Sequence, residues 1–520
     1  MPILTLTVRR ASWALGSLAF LAVLLTLNDP GITMDEPLDV APGRRYVETL
    51  LKRGPRFFDR DTVAFVYGDN SEHPPLGRWL LGLSSEGFQW AELIALGKDP
   101  LVPPVYVRAG RIAPALCFAI LVGLITSTAG RRYGVAGGVA GGFALAVMPR
   151  VFSHAHFGAL DTFVALFWTL ALLKAINAAD SRNPTRAMAF AGVFWGLALL
   201  TKIHGWLLPP AVLVWLALRL PIRKAVPAFA AWMAVGLIVF FVGWPWLWYD
   251  TAHRLPEYLK TGVQRTTIFV RYFGTDYADK DVPWHYPWVY FAATVPMGLH
   301  ILGGLGVYYS VRERRHDLFP LILLATIAGF LVLFSTRVPV YDGERLFLVV
   351  FPLWAIVIGR GFGALWDDLD GRRWLRRALV AATLLQATGV IMIHPFGLSY
   401  YNTLVGGLRG AERLGLELTF WGDAVDRVLL DSLAKEAAED ATAALAPTLV
   451  PQQGKVATTR SLARRGIGLA DQEAIGTSDW VVVSRREAYW TPEIRALIAG
   501  PPVFLRTRDG VWLSGVWRRR

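Results

Sequence analysis

Thr33-Met34-Asp35-Glu36-Pro37 and, further along the same loop, Glu72-His73-Pro74-Pro75-Leu76 decide how this chain is read. The first piece follows an apolar run, residues 11–27, that is able to cross a bilayer. An acidic pair where a spanning helix leaves the membrane needs a reason, because charge beside hydrocarbon is costly. One reason is a polar helix end; the other is chemistry at the membrane surface. The rest of the chain decides between them.

Of 520 residues, 54% are hydrophobic and 18% charged, with 21 Trp; the mean hydropathy is +0.40. A soluble chain of this size carries more charge, so this is a polytopic membrane protein with a soluble remainder. The net charge of +13 does not point to nucleic acid, because the Lys and Arg cluster between apolar runs. The single cysteine, Cys117, excludes a disulfide framework and a Cys-based metal site within the chain. Arg9-Arg10 before an apolar run has the look of a signal peptide, but residues 26–36 offer no small-x-small cleavage site. A retained anchor is expected.

Eleven spans are predicted, at roughly 11–28, 108–128, 134–149, 160–177, 188–202, 205–219, 226–246, 288–310, 318–335, 345–359 and 378–394. Connecting segments alternate in charge. Arg9-Arg10, Arg131-Arg132, Lys174 with Arg182 and Arg186, Arg219 with Arg223-Lys224, Arg312 with Arg314-Arg315, and Arg360 with Arg372-Arg373 and Arg376-Arg377 belong in the cytoplasm. The opposite set is 29–107, 150–159, 203–204, 247–287, 336–344 and everything after 395. This puts the N-terminus inside and the C-terminus outside. Loop 29–107 is expected to hold two helices in the interface plane, over 44–53 and 76–96. Ordinary packing on a soluble cap is the alternative. Loop 247–287 is rich in Trp and Tyr, which suits an aromatic belt, sugar-stacking faces or an acyl-chain groove.

After about 395 the texture changes. A helix over 424–439, a strand over 479–484, a helix over 492–499 and a hairpin over 502–518 around Arg508-Asp509-Gly510 are predicted. The fold class is therefore an α-helical polytopic membrane region, 1–395, followed by a small extracytoplasmic α/β domain, 396–520. The latter holds no nucleotide loop or triad.

Ionisable groups gather at one set of membrane ends: Asp35, Glu36, Glu72, His73, Arg78, His154, His156, Asp161, Lys202, His204, Asp342, Glu344 and Arg345. Both signs are present. Such a set suits a reaction that needs a carboxylate base and a cationic cradle for an anionic leaving group. Each residue also has an ordinary reading. Asp161 fits a helix N-cap. Lys202 fits a snorkelling side chain. Arg345 fits a local pair with Glu344 or Asp342, His73 a satisfied loop histidine, and His154 with His156 a structural pair.

The arrangement resembles GT-C membrane glycosyltransferases, with the protein O-mannosyltransferases and the bacterial lipid A aminoarabinose transferases as the most similar groups. The residues that carry it are Asp35-Glu36 after the first span, Glu72-His73-Pro74-Pro75-Leu76-Gly77-Arg78, and Asp161 opening the fourth span. Pro395-Phe396-Gly397-Leu398-Ser399-Tyr400-Tyr401-Asn402, Gly406-Gly407 and Phe420-Trp421-Gly422-Asp423 look like the tail of bacterial members with an extra outer domain. The β-trefoil insertion of eukaryotic O-mannosyltransferases is missing, which weakens a protein acceptor.

The resemblance implies a polyprenyl-phosphate-sugar donor and a lipid, glycan or protein acceptor at the outer face of a bacterial plasma membrane. It implies Asp35 as the base, with Glu36 and Asp161 beside it, and inversion at the anomeric carbon. His73, Arg78, Lys202 and Arg345 are expected at the donor phosphate. Glu72, His156, His204, Tyr341 and Glu344 are expected at acceptor or sugar. Glu36, Asp161, His154 and His156 permit a divalent metal ion without demanding one. A lipid-linked-sugar flippase and a non-catalytic binding protein on the same scaffold are the rival readings. A transporter places charge near mid-membrane and often repeats itself internally; here charge gathers at one face and no repeat is evident.

Overall fold

The computed structural model describes residues 2–68, 72–96, 105–261, 264, 266–314 and 317–519, so the predicted cytoplasmic Arg315 lies outside the described residues. Among these, six helices are long and apolar enough to cross a membrane: Leu6–Leu25, Val107–Ala146, Asp161–Ala179, Ile222–Val242, Val350–Asp368 and Arg373–Ile393. The protein is a multi-pass, mostly helical membrane protein.

The long helix Ile112–Ala146 is in fact two. Tyr133 and Gly134 leave helical geometry, Gly134 at φ +78°, where glycine has no Cβ to obstruct the reversal. The two halves fold back on each other: a Cβ on Gly138 would lie 2.5 Å from the Gly130 Cα. The neighbouring glycines serve the other side. A Cβ on Gly137 would lie 2.7 Å from the Gly359 carbonyl of helix Val350–Asp368. Small residues let backbones approach where the lipid supplies no hydrophobic drive between helices. The predicted pair 108–128 and 134–149 corresponds to this hairpin.

Helix lengths give fewer full spans than the eleven expected. Predicted spans 188–202, 205–219 and 318–335 form Pro184–Leu199, Pro209–Arg219 and Phe319–Phe334, of 16, 11 and 16 residues. Predicted span 288–310 is a bent pair, Tyr286–Thr294 and Met297–Arg312, at 111°. Pro296 explains the bend: it lacks an N–H and drives Val295 out of helical geometry, to φ −101° and ψ 136°. The span expected at 345 begins instead at Val350, because Asp342 and Gly343 adopt positive φ of 55° and 67° and start a turn.

Both expected helices of the first loop form, as parts of Asp35–Arg53 and Leu76–Leu96. They pack closely at Gly43 and Gly82, where a Cβ on Gly43 would sit 2.9 Å from the Gly82 nitrogen.

Loop 247–287 holds a hairpin that the sequence reading missed, β1 (Phe269–Tyr272) with β2 (Thr275–Ala278). Its turn residues Phe273 and Gly274 both have positive φ. The C-terminal region carries a five-stranded sheet in the order β4-β3-β5-β7-β6. Its strands are β3 (Ala443–Ala446), β4 (Leu469–Ala470), β5 (Trp480–Ser484), β6 (Phe504–Arg508) and β7 (Val511–Arg518). β3 runs parallel to β4 and β5, while β5, β7 and β6 are antiparallel. The expected strand, hairpin and helices are all present, the helices as Arg427–Glu436 and Pro492–Ile498. β3 was missed because Ala-Ala-Leu-Ala has little intrinsic strand preference.

This region is stitched to the helical part by backbone. Gly31 N donates to Asp423 O at 2.8 Å, and Met34 N to Trp421 O at 3.0 Å. The Asn402 amide donates to Ala292 O and Val295 O.

Gly138→Val should lower the thermal midpoint in detergent, by about 1–3 kcal/mol of overpacking. Gly329→Val, where a Cβ meets nothing within 4 Å, should leave it in place.

Candidate active site

Four distant stretches deliver charge to one place. Asp35 opens helix Asp35–Arg53, and Asp161 opens helix Asp161–Ala179. Lys202 lies in an extended step after helix Pro184–Leu199, and Arg345 begins the short turn Arg345–Phe347. Backbone pairing of residues 31–34 with 421–423 fixes where Asp35 emerges.

Lys202 Nζ lies 2.6 Å from Asp161 Oδ1. Arg345 Nε reaches Asp161 Oδ2 at 3.3 Å, its Nη1 reaches Asp342 Oδ2 at 3.1 Å, and its Nη2 pairs with Asp35. The indole of Trp421 lies against the guanidinium, 4.0 Å from Cζ to ring centre, and its Nε1 donates to Asp342 Oδ2 at 2.8 Å. Arg486, from beyond β5, donates to Asp342 Oδ1 at 2.9 Å. Carboxylates of Asp35, Asp161 and Asp342 thus face Lys202, Arg345 and Arg486. Matched charge is the condition under which buried ions are tolerated.

Two ordinary readings fall here. No side-chain hydrogen bond caps the Asp161 helix, so Asp161 is no N-cap. Lys202 is buried, so it does not snorkel. Asp35 keeps about a fifth of its side chain exposed, which leaves it open to a substrate.

His73 is half-buried at the loop before helix Leu76–Leu96. Burial first, and then the charges of Arg78, Lys202 and Arg345, hold its imidazole well below the usual histidine range. The imidazole is thereby held toward its neutral form, in which one ring nitrogen is an N–H donor. Tyr341 lies with its ring centre 5.8 Å from the Arg345 Cζ.

Other expected residues are engaged elsewhere. Glu36 is fully buried, with both oxygens taken by Arg111 at 2.6 and 2.8 Å, and also by Thr33 N and Gly158 N. Its placement beside Asp35 in sequence does not translate into a catalytic or metal-binding position. Consecutive residues at a helix start point in different directions. Arg78 is buried and pairs with Asp39 at 2.9 Å, and its charge is also felt at His73. Both ring nitrogens of His156 are engaged, with Phe152 O and the Thr26 hydroxyl at 2.9 and 2.8 Å. His204 is buried with its ring against Phe334.

Glu344 is buried and accepts from Arg150 Nη1 at 2.7 Å, with His154 3.8 Å away. Burial opposes its charge, yet Arg150 and His154 hold its carboxyl below the usual range. Its carboxylate is thus committed to Arg150 just before the Arg345 turn. Glu72 is exposed immediately before His73. The metal candidates are therefore dispersed, and no group of three or more His, Cys, Asp or Glu placed to hold a metal ion occurs among the described residues.

Sequence reasoning missed Arg150, Trp421 and Arg486. The Phe-Trp-Gly-Asp stretch at 420–423 carried a signal for Trp421. Nothing near Arg486 in sequence points to it, since its partner Asp342 lies in a remote loop.

Residues 105–249 match the family model of dolichyl-phosphate-mannose-protein mannosyltransferases. A search of curated proteins finds no match. Among solved structures, ArnT from Cupriavidus metallidurans bound to undecaprenyl phosphate matches with a TM-score of 0.51 and 16% identity, covering 97% of each chain. The apo form of that ArnT matches with a TM-score of 0.48 and 15% identity, over 96% of this chain and 97% of that one. An Archaeoglobus fulgidus oligosaccharyltransferase tethered to an acceptor peptide matches with a TM-score of 0.46 and 12% identity, over 97% of this chain and 74% of that one. The chain has the GT-C membrane fold of the undecaprenyl-phosphate-bound ArnT structure, and residues 105–249 are similar to the mannosyltransferase family model.

Two predictions concern supports of the site. Glu36→Gln should cost roughly 3–5 kcal/mol by stranding buried Arg111. A fall in thermal midpoint that precedes any specific kinetic defect checks it. Glu417 accepts from Glu487 N and Ala488 N next to Arg486. Burial raises its carboxyl from 4.5 to about 8, with Arg486 pulling the other way. The folded form thus holds this proton more tightly than the unfolded chain. Its contribution to stability is full below about pH 4.5 and is lost as pH rises toward about 8. Glu417→Gln should flatten that decline in thermal midpoints measured across the interval.

Proposed function

We propose that the protein is an inverting glycosyltransferase that moves a sugar from a polyprenyl phosphate to a hydroxyl acceptor at the outer face of a bacterial plasma membrane. The observation that carries this reading is the meeting of Asp35 and Asp161 with Lys202 and Arg345 at one set of helix ends. The GT-C fold supports it, as does the presence of undecaprenyl phosphate in the matched ArnT structure.

The chemistry divides between the two signs. The acceptor hydroxyl attacks the anomeric carbon and passes its proton to Asp35. The bond from that carbon to the phosphate oxygen breaks, and polyprenyl phosphate leaves as an anion. Attack from the face opposite the phosphate inverts the anomeric centre. A phosphate leaving group is already a stabilised anion, so cations matter more than a general acid. Lys202 contributes a compact charge and Arg345 a planar fork. His73 donates an N–H to the same group. Asp161 holds both cations in place and orients the acceptor.

Arg345 also links the two halves of the reaction. Before the donor arrives it occupies Asp35. A donor phosphate competes for the guanidinium and releases the carboxylate to act as base. The base is thereby made available when a donor is bound. Residues 396–520 act as an extracytoplasmic domain on this reading, holding the Asp342 turn through Trp421 and Arg486.

Asp35→Asn should lower transfer from synthetic polyprenyl phosphate sugars by about 10²–10⁴-fold, the usual share of a positioned general base. Single-turnover assays in proteoliposomes measure this. Undiminished turnover removes the base assignment.

A further inference from the structure

A large groove lies far from the charged cluster. It runs between the first helix, Pro2–Leu25, and the first half of the hairpin Ile112–Ala146, with a volume of about 1160 Å³. That exceeds roughly 300–1,000 Å³, the range of small-molecule sites. Its floor exists because the two backbones touch: a Cβ on Gly16 would sit 2.9 Å from Ala119 O, and one on Gly123 3.2 Å from Ser12 O. Its walls are apolar and outward-facing, with Trp13 70% exposed and Leu116 and Ile120 each 50% exposed. At one end only, the lining turns cationic, with Arg9 and Arg131. Both are exposed, and neither has an ion-pair partner among the described residues. The adjacent Arg132, by contrast, stacks on Phe319 at 3.6 Å and reaches Asp317 at 4.0 Å.

We propose that this groove is a binding site for an anionic phospholipid, with its phosphate at Arg9 and Arg131 and an acyl chain along Trp13, Ile120 and Phe20. The dimensions fit. From Arg9 to Phe20 the helix rises about 16 Å, and one leaflet supplies about half of a ~30 Å hydrocarbon core. The groove therefore spans one leaflet from headgroup to midplane. Two unpaired arginines at headgroup depth select a negatively charged lipid over a zwitterionic one.

The occupant is not the sugar carrier. Arg9 lies at the opposite end of the first helix from Asp35, and Arg131 at the opposite end of its helix from Arg111, which donates to Leu27 O. A lipid whose phosphate sits at Lys202 and Arg345 has its head on the other membrane face. The groove and its two arginines stand apart from the glycosyltransferase reading, and only the exclusion of the sugar carrier rests on it.

Native mass spectrometry of the full chain tests it, with an equimolar mixture of phosphatidylglycerol and phosphatidylcholine carrying identical acyl chains. The wild type should retain phosphatidylglycerol about tenfold over phosphatidylcholine. Arg9→Gln combined with Arg131→Gln should abolish that preference while still retaining phosphatidylcholine, and Arg10→Gln, outside the groove, should keep it. Equal retention of both lipids by the wild type overturns the proposal. So does a preference unchanged in the double variant, loss of both lipids together, or an equal loss in Arg10→Gln. Displacement of phosphatidylglycerol by one equivalent of undecaprenyl phosphate assigns the groove to the carrier and overturns it as well.

Discussion

One guanidinium organises the charged end of this molecule. Arg345 meets Asp35, Asp161 and Asp342, which come from three separate stretches of chain. A buried cation without partners is strongly destabilising, and so is each buried carboxylate. The cluster is tolerable only when assembled, so its members constrain one another's positions. Lys202 completes Asp161, and Arg486 completes Asp342. Each buried member therefore depends on a partner from another stretch of chain.

The C-terminal region shares in this constraint. Trp421 covers the Arg345 guanidinium and donates to Asp342, while the backbone of 421–423 pairs with that of 31–34. Asp35 and Arg345 are thus both located by a segment that follows the last membrane helix. The positive-φ turn at Asp342 and Gly343 makes this possible by lifting Arg345 out of the helix that follows. Behind it, Arg150 lies between the rings of Tyr401 and Phe420 and holds Glu344. The region after residue 395 is part of the site's wall.

Much of the helical part was legible because apolar runs in a membrane chain must close their own backbone hydrogen bonds. The break between the predicted spans 108–128 and 134–149 was legible from Arg131-Arg132 between apolar runs, and the hairpin at Asp509-Gly510 from the backbone freedom of its turn. Helices such as Pro209–Arg219 are shorter than the predicted spans because hydropathy reports composition and not the length a helix finally attains. At the charged cluster, Asp35, Asp161, Lys202 and Arg345 stood out because ionisable groups at apolar ends are rare. Their neighbours in sequence misled: Glu36 carries the same charge as Asp35 yet closes on Arg111. Arg486 was invisible, since a pairing that depends on how a sheet docks leaves no periodicity to read.

The central claim is that Asp35 and a lipid-borne phosphate compete for Arg345. The measurement that tests it most directly is the affinity of purified protein for polyprenyl phosphate, wild type against Asp35→Asn, at fixed low salt. With the competing carboxylate neutralised, Arg345 is free for the phosphate, so the account predicts tighter binding in the variant. Weaker or unchanged binding would contradict it.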